Sequence, residues 1–331
     1  MFTNLRELIV SMPDEKSCRE YVAKQRWNGQ TVCPYCGLGK CYTIENGERY
    51  KCANNKCYKR FTVTVGTIFH ASNIPLTKWL MAVYIVTAHK KGISSYQLAK
   101  DIGVTQKTAW FMNHRIREVL KPTKDEILQG LVEVDETYLA KKYRSKYKAL
   151  PPDEVTAITE QQQRDKVKSK GAVIGLVQRD GNAIVKAIGS ISRDNIREMV
   201  TKHVNPENTT LMTDESNLYK YSLRNYNRQS VTHSKLEWTN GIVHTNTVEG
   251  LWSVMKRGIY GIYHHVTAKH LQAYCNEFAY RYNSRKIKDN DRFILSLQNL
   301  EVRLPYKTLV SEKESQIKDT RSNYRKNKFN G

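Results

Sequence analysis

The hydrophobic pattern changes period along the chain. SCREYVAKQRW (17–27) has helical spacing and stops at Asn28-Gly29, so residues 1–30 are expected to form a helical lead-in. PLTKWLMAVYIVTAHKKG (75–92) reads as a strongly apolar helix. Two shorter helices follow, one capped by Ser94-Ser95 and one by Thr105, with Gly103 at the turn between them. KPTKDEILQG (121–130) is a linker or helix end, and after it the period drops to two. In GLVEVDETYLA, Glu133, Asp135 and Thr137 fall on one face and Val132 and Val134 on the other. GAVIGLVQRDG and NAIVKAIG predict a hairpin turned at Asp180-Gly181. SRDNIREMVTKHV is a helix with Ser192 as N-cap, TTLMTDES a strand ending in Asp214, NLYKYSLRNY a short helix and RQSVTHS a strand. The stretch 244–258 is helical again, with Val248, Leu251, Trp252 and Met255 at i, i+3, i+4 and i+7. A last helix spans 267–285.

Composition changes the picture first through charge. Lys and Arg number 54 against 32 acids in 331 residues, a formal +22. Such an excess points to a polyanionic partner, most often nucleic acid. The longest apolar run, WLMAVYIVTA at 79–88, is half of the ~20 residues a membrane span needs. The first residues lack the layout of a secretory signal. A protein of the cytoplasm is expected, associated with the nucleoid of a prokaryotic cell and not with a membrane.

Seven cysteines, an odd number, argue for metal binding rather than a disulfide framework. TVCPYCG and CANNKC set Cys33, Cys36, Cys52 and Cys57 in two pairs, the spacing of a zinc ribbon with one structural Zn²⁺. The intervening CYTIENGERYKC predicts two strands turned at Asn46-Gly47, and KRFTVTVG a third. Cys41 matches neither pair.

ISSYQLAKDIGVTQKTAWFMNHRIREVL resembles a helix-turn-helix, whose second helix commonly enters the major groove by its N-terminal residues. Gln106, Lys107 and Thr108 are the candidate base-reading residues, with Arg115 further along. The plainer reading is a helical hairpin packed on the ribbon. A polar insert, 141–170, is expected to be a mobile loop or a DNA-facing arm.

The order from 130 onward is three strands, helix, strand, helix, strand, helix, helix, that of a ribonuclease H-like domain. That fold carries one acid on its first strand, a second at the end of the fourth and a third on a later helix. Asp135, Asp214 and Glu249 occupy those places, the last two 35 positions apart. On helix 244–258 the polar face carries Asn246, Glu249, Ser253, Lys256 and Arg257. A carboxylate beside cations there suits a site for metal and phosphate. The plainer reading is a surface Glu with helix-end cations.

Taken together, RWNGQTVCPYCG, RFTVTVGTIF, QLAKDIGVTQKTAW, VEVDETY, MTDES and HTNTVEGLWSVMKRG resemble bacterial insertion-sequence transposases with an N-terminal zinc ribbon and a DDE catalytic domain, relatives of the eukaryotic Merlin transposases. The resemblance covers roughly residues 15–290. It implies an enzyme that binds the terminal inverted repeats of its element, cleaves phosphodiesters at the ends and joins them to target DNA. It also implies a homo-oligomer, at least a dimer, on double-stranded DNA.

Asp135, Asp214 and Glu249 carry over as catalytic acids holding two Mg²⁺, with Mn²⁺ as a substitute and Asn246 as an accessory. Phosphoryl transfer with metals about 3.5–4 Å apart has use for such acids. Lys256 and Arg257 would hold phosphates, and Glu133, Glu136 and Glu215 would surround the acids without ligating. The expected fold class is multidomain. Its parts are a lead-in and zinc ribbon (1–72), a helix-turn-helix region (73–125), an α/β ribonuclease H-like domain with a mixed sheet flanked by helices (126–290), and a basic tail (291–331). Two rival readings are a domesticated DNA-binding regulator with an inactive catalytic domain and a structure-selective nuclease.

Overall fold

The structure is a computed structural model and describes residues 2–139, 171–231 and 243–311. The insert at 141–170, the end of the strand expected over RQSVTHS and the chain from 312 onward lie outside these residues. The chain divides into two units: residues up to Lys121 together with those from Ser284, and Pro122–Asn283.

In the first unit, α1 (Leu5–Ser11) starts at Asn4, whose side chain accepts a hydrogen bond from the Glu7 N–H. Helix α2 (Glu15–Trp27) starts on a reciprocal cap between Asp14 and Ser17 and ends at Asn28 in the left-handed region. The strands β1 (Cys41–Ile44), β2 (Arg49–Cys52) and β3 (Arg60–Phe61) form an antiparallel sheet in that order.

The strand expected over KRFTVTVG shrinks to two residues. Beyond it the Thr62 and Thr64 hydroxyls bond each other, and Val65 and Thr67 donate back to the Thr62 and Thr64 carbonyls. The alternating threonines bend the chain into turns by satisfying local backbone groups. Helices α3 (Leu76–Ala88), α4 (Ser95–Ile102) and α5 (Gln106–Val119) follow as expected, with caps at Ser94 and Thr105 and Gly103 at φ 62°.

The second unit begins with β4 (Leu128–Leu139), β5 (Gly171–Gln178) and β6 (Ala183–Ile188), paired antiparallel in sequence order. Helix α6 (Arg193–His203) leads to β7 (Val204–Asp214), which pairs parallel with β4. The short α7 (Asn217–Ser222) leads to β8 (Asn227–Val231), parallel to β7. The sheet order is β6-β5-β4-β7-β8. Helix α8 (Asn246–Gly258), a π-helical turn at Ile259–Tyr263 and α9 (Ala268–Asn283) complete the unit.

Alternation along the strands builds two cores. Val173, Val177 and Val185 pack with Val248, Leu251, Trp252 and Met255 of α8 and with α9. Val132, Val134, Ile174 and Leu211 pack on the opposite face with Ile196 and Met199 of α6 and Tyr219 of α7. The result is a mixed sheet between two helical layers.

The expected tail at 291–331 needs correction. Helix α10 (Asp289–Leu297) and α11 (Tyr306–Val310) fold within the first unit. Phe293 is fully buried, its ring 5.4 Å from Phe2, 5.9 Å from Tyr84 and 6.2 Å from Tyr21. Arg292 and Arg303 flank buried Phe293, Leu297 and Val302, so sequence charge here masks an apolar stripe. Phe293→Ala should lower the unfolding free energy of this unit by about 3–5 kcal/mol. Equal thermal melts for Phe293→Ala and wild type would contradict this assignment.

Candidate metal centre and active site

The two cysteine pairs meet as their spacing predicts. Cys33, Cys36, Cys52 and Cys57 bring their four Sγ atoms within 4.8 Å of one another. Cys33 and Cys57 are 3.8 Å apart and Cys36 and Cys52 3.5 Å. A tetrahedron with Zn–S bonds of about 2.3 Å has edges of roughly 3.8 Å, so the four thiols fit one Zn²⁺. Cys41, opposite Cys52 in the β1–β2 register, turns its thiol to the Leu38 carbonyl and stays outside the cluster.

The acids converge from three elements. Asp135 lies on β4 opposite Gly175 of β5. The parallel register sets Glu133 against Met212, and two residues further along it brings Asp135 level with Asp214 at the end of β7. Asp214 Oδ1 accepts the Ser216 N–H at 2.9 Å. Glu249, on the first turn of α8, is exposed and accepts from the Thr245 hydroxyl at 3.0 Å.

Burial, aided by the charges of Asp214 and Glu249 and opposed by the Trp252 hydrogen bond, pushes Asp135 up to about 6. The carboxylates of Asp135, Asp214 and Glu249 offer a hard-oxygen donor set, which fits Mg²⁺. They are more widely spaced than the thiols: among the described residues, no trio of acids comes within 4.8 Å.

Two contacts place these groups. The Trp252 indole N–H donates to Asp135 Oδ2 at 2.8 Å. A Cβ on Gly175 would fall 2.7 Å from the Trp252 ring, so only glycine lets that ring lie over the sheet.

Glu133 is fully buried and accepts from the backbone N–H groups of Thr247 (2.8 Å) and Val248 (2.9 Å), the Thr247 hydroxyl (2.8 Å) and Arg179 Nε (2.8 Å). Thr245, the residue before α8, makes no side-chain cap, so a strand carboxylate caps this helix instead. The sequence signal for this role was the shared face of Glu133 and Asp135: a buried acid beside the site needs donors, and a helix start supplies them. Glu136 faces the other core, where it accepts from the Tyr219 hydroxyl. Burial, then the charges of Asp135 and Asp214, pushes it up to about 7, so it is more than a flanking residue. Glu215 is exposed.

Asn246 is the first residue of α8 and exposed, three residues before Glu249. Lys256 and Arg257 occupy the last turn, and Arg257 donates to the Ser253 hydroxyl at 2.6 Å. Lys107 is exposed at the start of α5. Gln106 donates to the Ser95 hydroxyl at 2.8 Å, and the Thr108 and Thr105 hydroxyls pair at 2.9 Å.

Arg115 does not face outward as expected. It is 6% exposed, and it donates to the carbonyls of Ile68 (2.9 Å), His70 (3.0 Å) and Leu304 (3.3 Å). The returning segment 284–311, which the sequence pattern did not reveal, covers it. No described helix is long and apolar enough to cross a membrane.

The chain thus joins a four-cysteine ribbon that fits one zinc to a three-layer α/β unit with an acidic cluster. Residues 127–283 match the ISXO2-like transposase domain family and residues 13–60 the transposase zinc-ribbon domain family. The two matches set a transposase zinc-ribbon domain and an ISXO2-like transposase domain in one chain, in that order. A Halobacterium salinarum protein described as an uncharacterized protein in transposable element ISH50 is 27% identical over 257 residues, 75% of this chain and 84% of that relative. No solved structure matches the chain.

Cys52→Ser should lose bound zinc and loosen the first unit, checked by metal analysis and melting; unchanged zinc content would reject the ligand set. A second expectation concerns pH. Asp135 titrates near 6 in the folded chain, above the usual carboxylate range, so ionising it costs stability as pH rises from about 4 through 6. With zinc present and magnesium omitted, Asp135→Asn should gain in melting temperature relative to wild type as pH rises from about 4.5 to about 6.5, the gap levelling off above that. A gap independent of pH would contradict the shift.

Proposed function

We propose that this transposase binds the terminal repeats of its element, cuts phosphodiesters at the element ends and joins them to target DNA. The observation that carries the reading is the convergence of Asp214 and Glu249 on Asp135, on which both their charges act. The strand order β6-β5-β4-β7-β8, with acids on the first strand, the fourth strand and a later helix, supports a ribonuclease H-like catalytic unit. Helices α4 and α5 around Gly103 support a helix-turn-helix reading of double-stranded DNA by Gln106, Lys107 and Thr108.

Asp135, Asp214 and Glu249 would hold two Mg²⁺, which when bound supply Lewis-acid stabilisation to both oxygens of an in-line displacement. The other steps fall to the chain. Trp252 fixes one oxygen of Asp135 and leaves the other available. Glu133 fixes the turn that carries Glu249, and Asn246 orients groups beside it. Lys256 and Arg257 offset phosphate charge. In cleavage a water oxygen bonds to phosphorus as the bond to the 3′-oxygen breaks, and the proton from water balances the leaving oxygen. In joining, the freed 3′-hydroxyl oxygen bonds to a target phosphorus as that phosphorus's bond to its own 3′-oxygen breaks, and the hydroxyl proton passes to the leaving oxygen.

Asp135→Asn, Asp214→Asn and Glu249→Gln should each abolish cleavage and joining, at least a hundredfold, and leave binding of the ends intact. Double variants should be no worse than singles, because the acids act as a unit. Asn246→Ala should be milder. Cleavage of uncut and pre-nicked ends with Mg²⁺ tests this; an active Glu249→Gln beside a dead Asn246→Ala would move the third acid's role to Asn246.

A further inference from the structure

A pocket of about 400 Å³ opens in the first unit between the loop before α3, the N-terminal half of α5, and α11. Its walls include three aromatic rings, Trp79, Phe111 and Tyr306, and two cations, Lys107 and Arg115; no carboxylate lines it. Tyr306 meets Phe111 edge-on at 5.4 Å, and Lys107 Nζ lies 5.6 Å from the Tyr306 ring centre.

Arg115 is the unusual member. It is more than nine-tenths buried with no acid paired to it among the described residues, and burial followed by the nearby charge of Arg303 lowers it to about 10. Its Nε and Nη1 donate to the carbonyls of Ile68, His70 and Leu304, which leaves Nη2 outside these three hydrogen bonds. The guanidinium lies 4.4 Å from the centre of the Phe111 ring. A buried, unpaired cation facing a cavity is costly unless an anion completes it.

Aromatic walls and acid-free cations together fit an aromatic anion. We propose that this pocket binds one nucleotide, its base against Phe111 and Tyr306 and its phosphate at Arg115 and Lys107. The source is the DNA lying along α5, a nucleotide swung out of the stack, since the pocket shares Lys107 and Thr108 with the proposed reading surface. The inference therefore rests on that reading of α5. A free nucleotide offers the same chemistry and is the alternative source.

The test is photocrosslinking of the full, zinc-loaded chain with terminal-repeat duplexes carrying 5-iododeoxyuridine at successive positions, followed by mapping of the adducts. Adducts on Phe111 or Tyr306 from one or two positions are expected. Tyr306→Ala, a change at a partly exposed side chain, should remove them and weaken duplex binding roughly five- to tenfold, the loss of one base stack. Lys107→Gln should weaken binding without moving the adduct.

A chain that binds duplex with no adduct at the pocket, or whose affinity ignores Tyr306→Ala, overturns the inference and leaves the reading of α5 standing. A chain that binds no duplex yet is labelled there by free 5-iodo-dUMP keeps the nucleotide pocket and removes the DNA source. A chain that shows neither overturns both.

Discussion

The second unit depends on one buried carboxylate. Glu133 sits on the central strand with no exposure to solvent, and its two oxygens collect two backbone N–H groups, a hydroxyl and a guanidinium. An unpaired charge at such depth would not be tolerated, so the α8 start and Arg179 are held as firmly as the acid is. Arg179 also donates to the His244 carbonyl at 3.0 Å and so fixes the chain that enters the helix. The strand that carries Asp135 and the helix that carries Glu249 are thereby tied two residues from one acid and one to two residues from the other.

The same helix is tied a second time, one turn further along. Gly175 opens a space over β5, Trp252 fills it, and the indole reaches Asp135. The two ties differ in kind. Glu133 is a fully satisfied ion that serves packing, whereas Asp135 is left with burial and like charges uncompensated. The electrostatic strain of this arrangement falls on Asp135 and its rigidity on the neighbours that hold it. The zinc ribbon shows the opposite arrangement, with all four thiols turned to one point and no place left for a reactant.

Much of this was legible in the sequence because the signals were local. Caps at Ser94, Thr105 and Ser192, the turn at Asp180-Gly181 and the alternation around Asp135 are set by neighbouring residues, and they recur as expected. The three candidate acids also fell on the expected elements. What stayed hidden depended on distant partners. Arg115 looks like a surface cation until residues 300–304 are placed against it, and Glu133 looks like a bystander until α8 begins above it. KRFTVTVG promised a longer strand because alternation cannot tell a strand from threonine-bonded turns that bury the same Phe61 and Val63. Residues 291–311 are rich in apolar side chains and stayed hidden because they run without a break into the basic stretch that follows them and read with it as one tail.

The first unit is interrupted: the chain leaves it at Pro122 and returns at Ser284. A ribosome therefore finishes the whole intervening sheet and its helices before the segment that seals Arg115 and completes the Phe293 cluster exists. The contiguous unit is free to fold first, while the helices around α5 wait with an open face. The order of synthesis thus makes the surface built on α5 the last to mature, so a broken or unfinished chain carries the acids without a completed first unit.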